Sequence, residues 1–566
     1  MHDLVIRGGL VVDGSGAPAR HADIAIDGDR ITALGPRLAR GAREIDASDL
    51  LITPGVVDIH THYDGQVTWD AWLSPSSSHG VTTAVFGNCG VGFAPLRPGS
   101  APYLINLMEG VEDIPGSVLA EGVAFDWESF PDYLAALERA PKVMDVGAQV
   151  PHAALRFYVM GERGAEHTCA PSVDEITRMG ELLAEALDAG ALGFTTSRTI
   201  KHRARDGRAT PSLSAAYAEL AGLADAMRRV GRGVIEVNSD FAPGEFALLD
   251  AIAARAGRPL SVLLLQVNHA PELWRETLAQ IGAARAAGRA VNGQVGTRPI
   301  GVMWGFETTL NPFITHPAWR ALADLPAPAR AARVASDAEL RRRLIEQRPD
   351  DEYTRQVADQ LAMAYVLDDD YDYEPNPADS LAARAARRGV SAWQAALEAM
   401  LEADGERLIA HTFENYAGGS LDVIREMLAS EATIVGLGDG GAHVCTLCDA
   451  GAPTFLLTHW ARDRTRGPRL PLEYLVHKQT RATALTYGLR DRGLLAPGLR
   501  ADLNIIDFAR LRVTPPRVVY DLPAGGKRLV QGARGYRHTF VAGVETLCDD
   551  RPTGALPGRL LRSAVT

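Results

Sequence analysis

At 566 residues the chain is too long for one ordinary core, and two to four units, or a barrel with insertions, are expected. Hydrophobic residues make up 46% and charged residues 23%, and 58 Lys+Arg against 70 Asp+Glu leave a formal charge of -12, with no basic block or aromatic-interleaved basic stripe. Such a composition describes a soluble globular protein and argues against nucleic acid as a partner.

The start, MHDLVIRGGLVVDG, alternates apolar and polar residues instead of forming a leader, and no stretch of about 18 apolar residues offers a membrane span. The expected setting is therefore the cytoplasm, with a small molecule as partner and no membrane. Cys89, Cys169, Cys445, Cys448 and Cys548 are few and odd in number, which fits individual thiols in a reducing compartment.

Residues 3 to about 50 hold short strands punctuated by glycine, as in ADIAIDGDRITALG, and predict a small antiparallel β layer. From about 56 to 450, β-rich runs alternate with helical stretches such as VDEITRMGELLAEALDAG. The runs GVVDIHTH, TTAVFGN, MDVGAQV, ALGFTTS, GVIEVNS, LSVLLLQV, AVNGQVG and ATIVGLGD number about eight, so the alternation predicts an α/β fold whose parallel units close into a (β/α)8 TIM-like barrel over 56–489. Between the last two runs lie more than 120 residues, too many for a simple connection, and an inserted lid subdomain is expected at about 305–430. Its acidic run VLDDDYDYEPNP reads as a solvated loop. Strand patterns return after about 490.

Active groups of such barrels collect at the C-terminal ends of the strands. The first strand ends in His60 and His62, which face the same way because extended chain repeats every two residues. The second ends at Cys89 in a glycine-flanked turn, and the last at Asp439, with His443 four residues on. Two imidazoles, a thiolate and a carboxylate form a plausible zinc shell. Cys445 and Cys448 lack a second pair to complete a site of their own and read as incidental.

The stretches DLVIRGGLVVDGSG, ITPGVVDIHTHYDG, FGNCGVGFAP, GALGFTTS, GLGDGGAH and DRGLLAPGLRADLNIID resemble the amidohydrolase superfamily, and specifically its N-acyl-D-amino-acid deacylase branch, over nearly the whole chain. The resemblance implies a metal-binding barrel joined to a small β-sandwich domain from residues 1–55 and 490–566. It also implies one or two zinc ions: the H-x-H pair and the last-strand aspartate line one position, the GNCG cysteine binds or bridges to a second, and histidines ending strands five and six complete it. Carried over by position, the ligands are His60, His62, Cys89 and Asp439. The strand-five and strand-six histidines have no counterpart, since Asn238 or Ser239 and Gln266 stand there and His269 is displaced by three residues.

The family's carboxylate-binding lysine and arginine are also missing from QVNHAPE and DGGAHVCTLCD, which leaves Arg198 or Arg298 as substitutes. The implied reaction is deacylation of a linear N-acyl-D-amino acid by metal-activated water, with Asp439 as general base and acid, His443 or Asn292 near the oxyanion, and His411 reaching substrate from the lid. Lys201 falls too late to bridge metals as in cyclic-amide hydrolases. A cyclic-amide or lactone hydrolase and an inactive binding barrel are the alternatives, and the helix-rich surface of such barrels allows a homo-oligomer.

Overall fold

The computed structural model describes residues 1–369 and 371–563. Asp370 of the acidic run and residues 564–566 of the expected terminal domain lie outside the described residues.

Eight parallel strands follow one another in chain order: β1 (Val56–Asp58), β2 (Val81–Phe86), β3 (Asp145–Ala148, continued by Val150–Pro151), β4 (Gly193–Arg198), β5 (Val234–Ser239), β6 (Leu260–Leu263), β7 (Val291–Val295) and β8 (Thr433–Val435). The ladders run from β1 to β3 and from Val150–Pro151 to β8, and only Gln149 separates the two sheets along the chain. Every residue of β1, β2, β6 and β8 is buried, as expected for parallel strands covered on both faces. Just past the outer strands, the Asp439 N–H donates to His60 O at 3.0 Å and the His62 N–H to Gly440 O at 2.7 Å, so the segments after β1 and β8 are joined by backbone bonds.

Between the strands run helices α1 (Ala101–Glu112), α2 (Val173–Asp188), α3 (Tyr217–Val230), α4 (Glu245–Ala256), α5 (Leu273–Ala286) and α6 (Asp422–Ala429). Helix α2 shows why they form. Ser172 accepts the Glu175 N–H at 3.2 Å while Glu175 accepts the Ser172 N–H at 2.7 Å, a reciprocal cap, and Met179, Leu182, Leu183, Ala186 and Leu187 make one buried stripe.

Both chain ends share one nine-stranded sheet. His2–Val11 pairs with Arg20–Asp27, Gly41–Asp46 and Leu51–Pro54, and Leu51–Pro54 in turn pairs antiparallel with Leu503–Ile506. Leu4, Ile6, Ile24, Ile52, Leu503, Ile505 and Phe540 form its apolar core. Not all of the C-terminal chain lies there: the hairpin Arg517–Leu522 with Gly526–Val530 forms its own sheet, and Leu560 bridges to Val146 of β3.

Between β7 and β8 stands a body with its own core, including Trp304, Phe313, Trp319, Leu344, Val357 and Met400. Its antiparallel sheet of Ile300–Trp304, Ile409–Glu414 and Ala364–Val366 is held to the loops after β4, β6 and β8. Lys201 pairs with Glu414, the Asn415 N–H donates to Gln266 O at 2.9 Å, and the Met303 N–H donates to Thr446 O at 2.8 Å.

Candidate metal centre

The loops after β1, β2 and β8 bring His60, His62, Cys89 and Asp439 together. His60 is 0%, His62 1% and Cys89 4% exposed, and one ligand atom from each of these three lies within 4.8 Å of the others. His60 Nε2 is 3.4 Å from Cys89 Sγ, and Asp439 Oδ1 is 3.6 Å from His60 Nε2 and 3.7 Å from His62 Nε2. Zinc with ordinary N, O and S bond lengths spaces its ligands about 3.4–3.6 Å apart along tetrahedral edges. The observed separations match that spacing.

Local sequence sets this arrangement. Asn88 of the GNCG turn donates to Thr61 O and Val85 O, both at 3.0 Å, and accepts from Gln149 Nε2 at 2.8 Å, locking the turn over β2. That lock supports a left-handed backbone at Cys89, φ 55°. A Cβ at Gly90 would sit 2.7 Å from Ser197 N, so the last residue of the motif has to be glycine. Asp439 is also left-handed, φ 48°, and a Cβ on the preceding Gly438 would fall 2.1 Å from Asp58 Oδ2.

Behind the imidazoles stand groups that orient them. His60 Nδ1 donates to Gln294 Oε1 at 3.0 Å, and Gln294 Nε2 donates to Ser261 Oγ at 2.8 Å, which leaves the lone pair of His60 on Nε2. Glu112, the last residue of α1, places Oε1 3.3 Å from His62 Nδ1 and Oε2 3.4 Å from His443 Nε2. Glu236 of β5 accepts the Cys89 N–H at 3.1 Å.

Charge at the centre is out of balance. Asp58 Oδ2, Glu112 Oε2, Glu236 Oε1 and His62 Nδ1 are buried without a hydrogen-bond partner. Burial, reinforced by Asp439, Asp64 and Glu236, drives the Glu112 carboxyl far up, and burial with Asp439 nearby lifts Glu236 to about 8. Burial, Asp449 and Asp58 raise Asp439, while burial with Glu236, Glu112 and Asp439 raises the Cys89 thiol. Burial lowers His60 to about 4 and pushes His62 well below its usual value, so both imidazoles are neutral and free to ligate. A divalent cation is the partner that this surplus of buried acid lacks, and the donor set fits zinc.

Comparison with known proteins agrees. The amidohydrolase family profile matches residues 43–547. The chain belongs to the amidohydrolase family. It is 30% identical over 575 aligned residues to the N-acyl-D-glutamate deacylase of Alcaligenes xylosoxydans xylosoxydans, covering 99% of this chain and 96% of that protein. To the D-aminoacylase of the same organism it is 36% identical over 195 residues, 34% of this chain and 37% of that protein. The crystal structure of the N-acyl-D-glutamate deacylase of Bordetella bronchiseptica, with zinc and a phosphonate mimic of the tetrahedral intermediate, superposes with a TM-score of 0.66 at 25% identity, covering 99% of each chain.

Other expected site residues of this amidohydrolase lie apart from the centre. Arg198, at the end of β4, pairs with Glu245 and donates to Ala215 O at 2.8 Å. Arg298 is buried, donating to Asp449 at 3.2 Å and Gln531 at 2.8 Å and lying over the Tyr373 ring. His411 stacks on Trp304 with centroids 5.3 Å apart, inside the inserted sheet. Asn292, the second residue of β7, accepts from Arg285 at 2.7 Å. Its neighbour two positions on, Gln294, is the β7 residue that meets His60. His443 does join the centre, through Glu112.

Sequence reasoning missed Glu112, Glu236, Gln294 and His202. The acid in the interior of GVIEVNS and the glutamine in AVNGQVG are polar residues within buried runs, which is the one mark that could have found Glu236 and Gln294. Cys445 and Cys448 are buried free thiols. Among the described residues no helix is long and apolar enough to cross a membrane.

Proposed function

We propose that this amidohydrolase removes the acyl group from an N-acyl-D-amino acid, at a zinc site held by His60, His62 and Asp439 with Cys89 beside them. The observation that carries this reading is Asp439 Oδ1 at 3.6 and 3.7 Å from the two neutral imidazoles in a buried, acid-rich pocket. The relatives' substrates support the class, and the zinc and the phosphonate mimic in the Bordetella bronchiseptica enzyme support the metal and the tetrahedral reaction course.

A divalent ion bound there supplies Lewis-acid polarisation of the scissile carbonyl and a lower pKa for water. Asp439 takes the proton of the attacking water and returns it to the leaving nitrogen. Gln294 holds the His60 ring by a hydrogen bond, Glu112 stands 3.3 Å from His62 Nδ1 without bonding it, and His443, 3.4 Å from the other oxygen of Glu112, is the residue assigned to the oxyanion. Arg198 and Arg298 are engaged by Glu245 and Asp449 and do not anchor the substrate carboxylate in this reading. Lys201 is tied to Glu414 and is absent from the cluster, which favours a linear over a cyclic amide.

The eight parallel strands are read as one closed (β/α)8 barrel, with the bonds between the loops of His60–His62 and Asp439–Gly440 as its seam. The body between β7 and β8 is its lid, because its contacts fall on the loops after β4, β6 and β8, at the C-terminal ends of the strands.

The test is elemental analysis of the purified protein together with amine release from matched panels of N-acyl-D- and N-acyl-L-amino acids. About one or more zinc per chain with D-selective release is expected. Protein that takes up no metal and stays inactive with added zinc would overturn the reading.

A further inference from the structure

The terminal sheet carries a group of unlike donors that the proposed reaction does not use. Its hairpin of Tyr536–Val541 and Val544–Cys548 sets His538 directly opposite Cys548. Positions three apart in a regular strand face opposite ways, so Glu545 and Cys548 would be kept on different sides. The register slips between Thr539 and Phe540: Phe540 pairs with Glu545 and Thr539 with Leu547, which makes Thr546 the extra residue of a bulge. A bulge re-aims the side chains that flank it, and this one turns Glu545 and Cys548 towards His538. One ligand atom of each residue, an imidazole nitrogen, a carboxylate oxygen and a thiol sulfur, then lies within 4.8 Å of the other two.

Glu545 is the hub of the group. Its Oε1 is 2.5 Å from His538 Nδ1, and its Oε2 accepts from Arg43 Nη2 at 2.7 Å. Burial and the nearby Glu545 and Asp549 carboxylates push the Cys548 thiol up, which keeps its proton on sulfur until a cation arrives. Asp549 itself is paired with Arg537 at 2.9 Å. The His538 and Glu545 side chains are 16% and 15% exposed and Cys548 is half-buried, so the group is shielded from bulk water but open to an ion entering from solvent.

We propose that His538, Glu545 and Cys548 hold a transition-metal ion of the zinc or cobalt class on the terminal sheet, with a fourth position open to water. The N/O/S donor set selects such an ion over magnesium or calcium. On binding, the thiol gives its proton to water, the imidazole carries its own proton on Nε2 and offers Nδ1, and Glu545 turns Oε1 to the ion while Oε2 keeps Arg43. Thiolate and carboxylate together cancel the charge of the divalent ion. Tetrahedral edges of about 3.4–3.6 Å fall between the present 2.5 and 4.8 Å, so side-chain movements of about 1 Å close the site. With three protein ligands the ion is held more weakly than in a closed four-ligand structural centre. Among the described residues no hydrogen bond or ion pair joins this group to His60, His62, Cys89 or Asp439, so it stands whether or not that cluster binds zinc.

Full-length protein as purified is treated with iodoacetamide with and without added Zn2+, and the alkylated cysteines are located by mass spectrometry. Zinc at about ten times its dissociation constant should slow alkylation of Cys548 about 10-fold, because only about one site in eleven is then free. Cys169, also half-buried, has no such partners and should react at the same rate throughout. In His538→Ala the protection of Cys548 should disappear. Elemental analysis after dialysis against the same zinc should find about one ion fewer per chain in His538→Ala and in Cys548→Ala than in wild type. Alkylation of wild-type Cys548 that is indifferent to zinc, or a zinc count unchanged by both substitutions, overturns the site. Neither reading depends on zinc at His60 and His62, so the failure of this site and the failure of the proposed function are told apart.

Discussion

At the starts of the parallel strands, Asp145 of β3 receives Arg492 Nη1 at 2.8 Å and Arg500 Nη2 at 3.0 Å, and Arg500 Nε lies 3.2 Å from Asp502. At the opposite ends of the same strands, Asp58, Glu112 and Glu236 are buried and the Asp439 side chain is 12% exposed, and among the described residues none of the four forms an ion pair with arginine or lysine. Both regions place several charges in a dry interior, where each ion costs several kcal/mol unless it is paired. The first pairs its charges within the chain, although Arg500 Nε and Asp502 Oδ2 make no hydrogen bond, and joins the terminal sheet to the parallel strands. The second has no basic partner among the described residues, and in the proposed reading a cation from outside completes it, which is what would separate a site from a structural charge cluster.

Asp439→Asn breaks the comparison at its functional end. Loss of a positioned general base should lower turnover by about 10²–10⁴-fold while the fold persists, as judged by amine release and circular dichroism together. Wild-type turnover in this variant would remove Asp439 from proton transfer.

The structural end should respond in the opposite way. Asp145→Ala leaves Arg492 and Arg500 buried without their shared carboxylate, and unfolding in urea should show about 3–5 kcal/mol less stability. Activity per folded molecule should be retained, because no part of the cluster reaches the imidazoles.

A finer distinction comes from Gln294→Ala, which spares every proposed ligand but frees His60 to turn. Zinc affinity should fall by about 10–100-fold with little change in stability in the presence of zinc, measured by competition with a chelator. Unchanged affinity would make Gln294 a packing residue.

A third buried acid, Glu374, sharpens the contrast by pH. Burial alone would raise it, but bonds from His459, Arg464 and the Leu421 N–H outweigh burial and hold it down at about 2. A carboxyl lowered on folding contributes stability that is full above about pH 4.5 and is lost as pH falls towards 2. Acid titration of the urea midpoint should therefore show a fall over that window, and Glu374→Gln should flatten it. An equal fall in wild type and variant would place the acid sensitivity elsewhere.

The convergence of His60, His62, Cys89 and Asp439 was legible because its geometry is local. His60 and His62 share a face through the two-residue repeat of a strand, Cys89 sits in a turn whose Asn and Gly have fixed duties, and Asp439 follows the last apolar run. Arg198 and Arg298 show where local reading stops. A guanidinium suits a carboxylate wherever it meets one, and here Glu245 and Asp449, 47 and 151 residues further along, arrive first. Asn292 shows the same limit on a smaller scale: it shares a strand face with Gln294, but depth along the strand decides which amide reaches His60.

By itself, then, the sequence determined the alternation of strand and helix, the strand-rich ends, the long interruption before the last strand and the convergence of His60, His62, Cys89 and Asp439, all products of periodicity and short-range backbone sterics. Tertiary structure alone decided which acids stay unpaired, which arginines are already engaged, that Glu112 from α1 backs His62, and that His202 stands beside Asn238 and Cys89. Those are meetings between residues far apart in the chain, and their energies depend on what else is buried beside them.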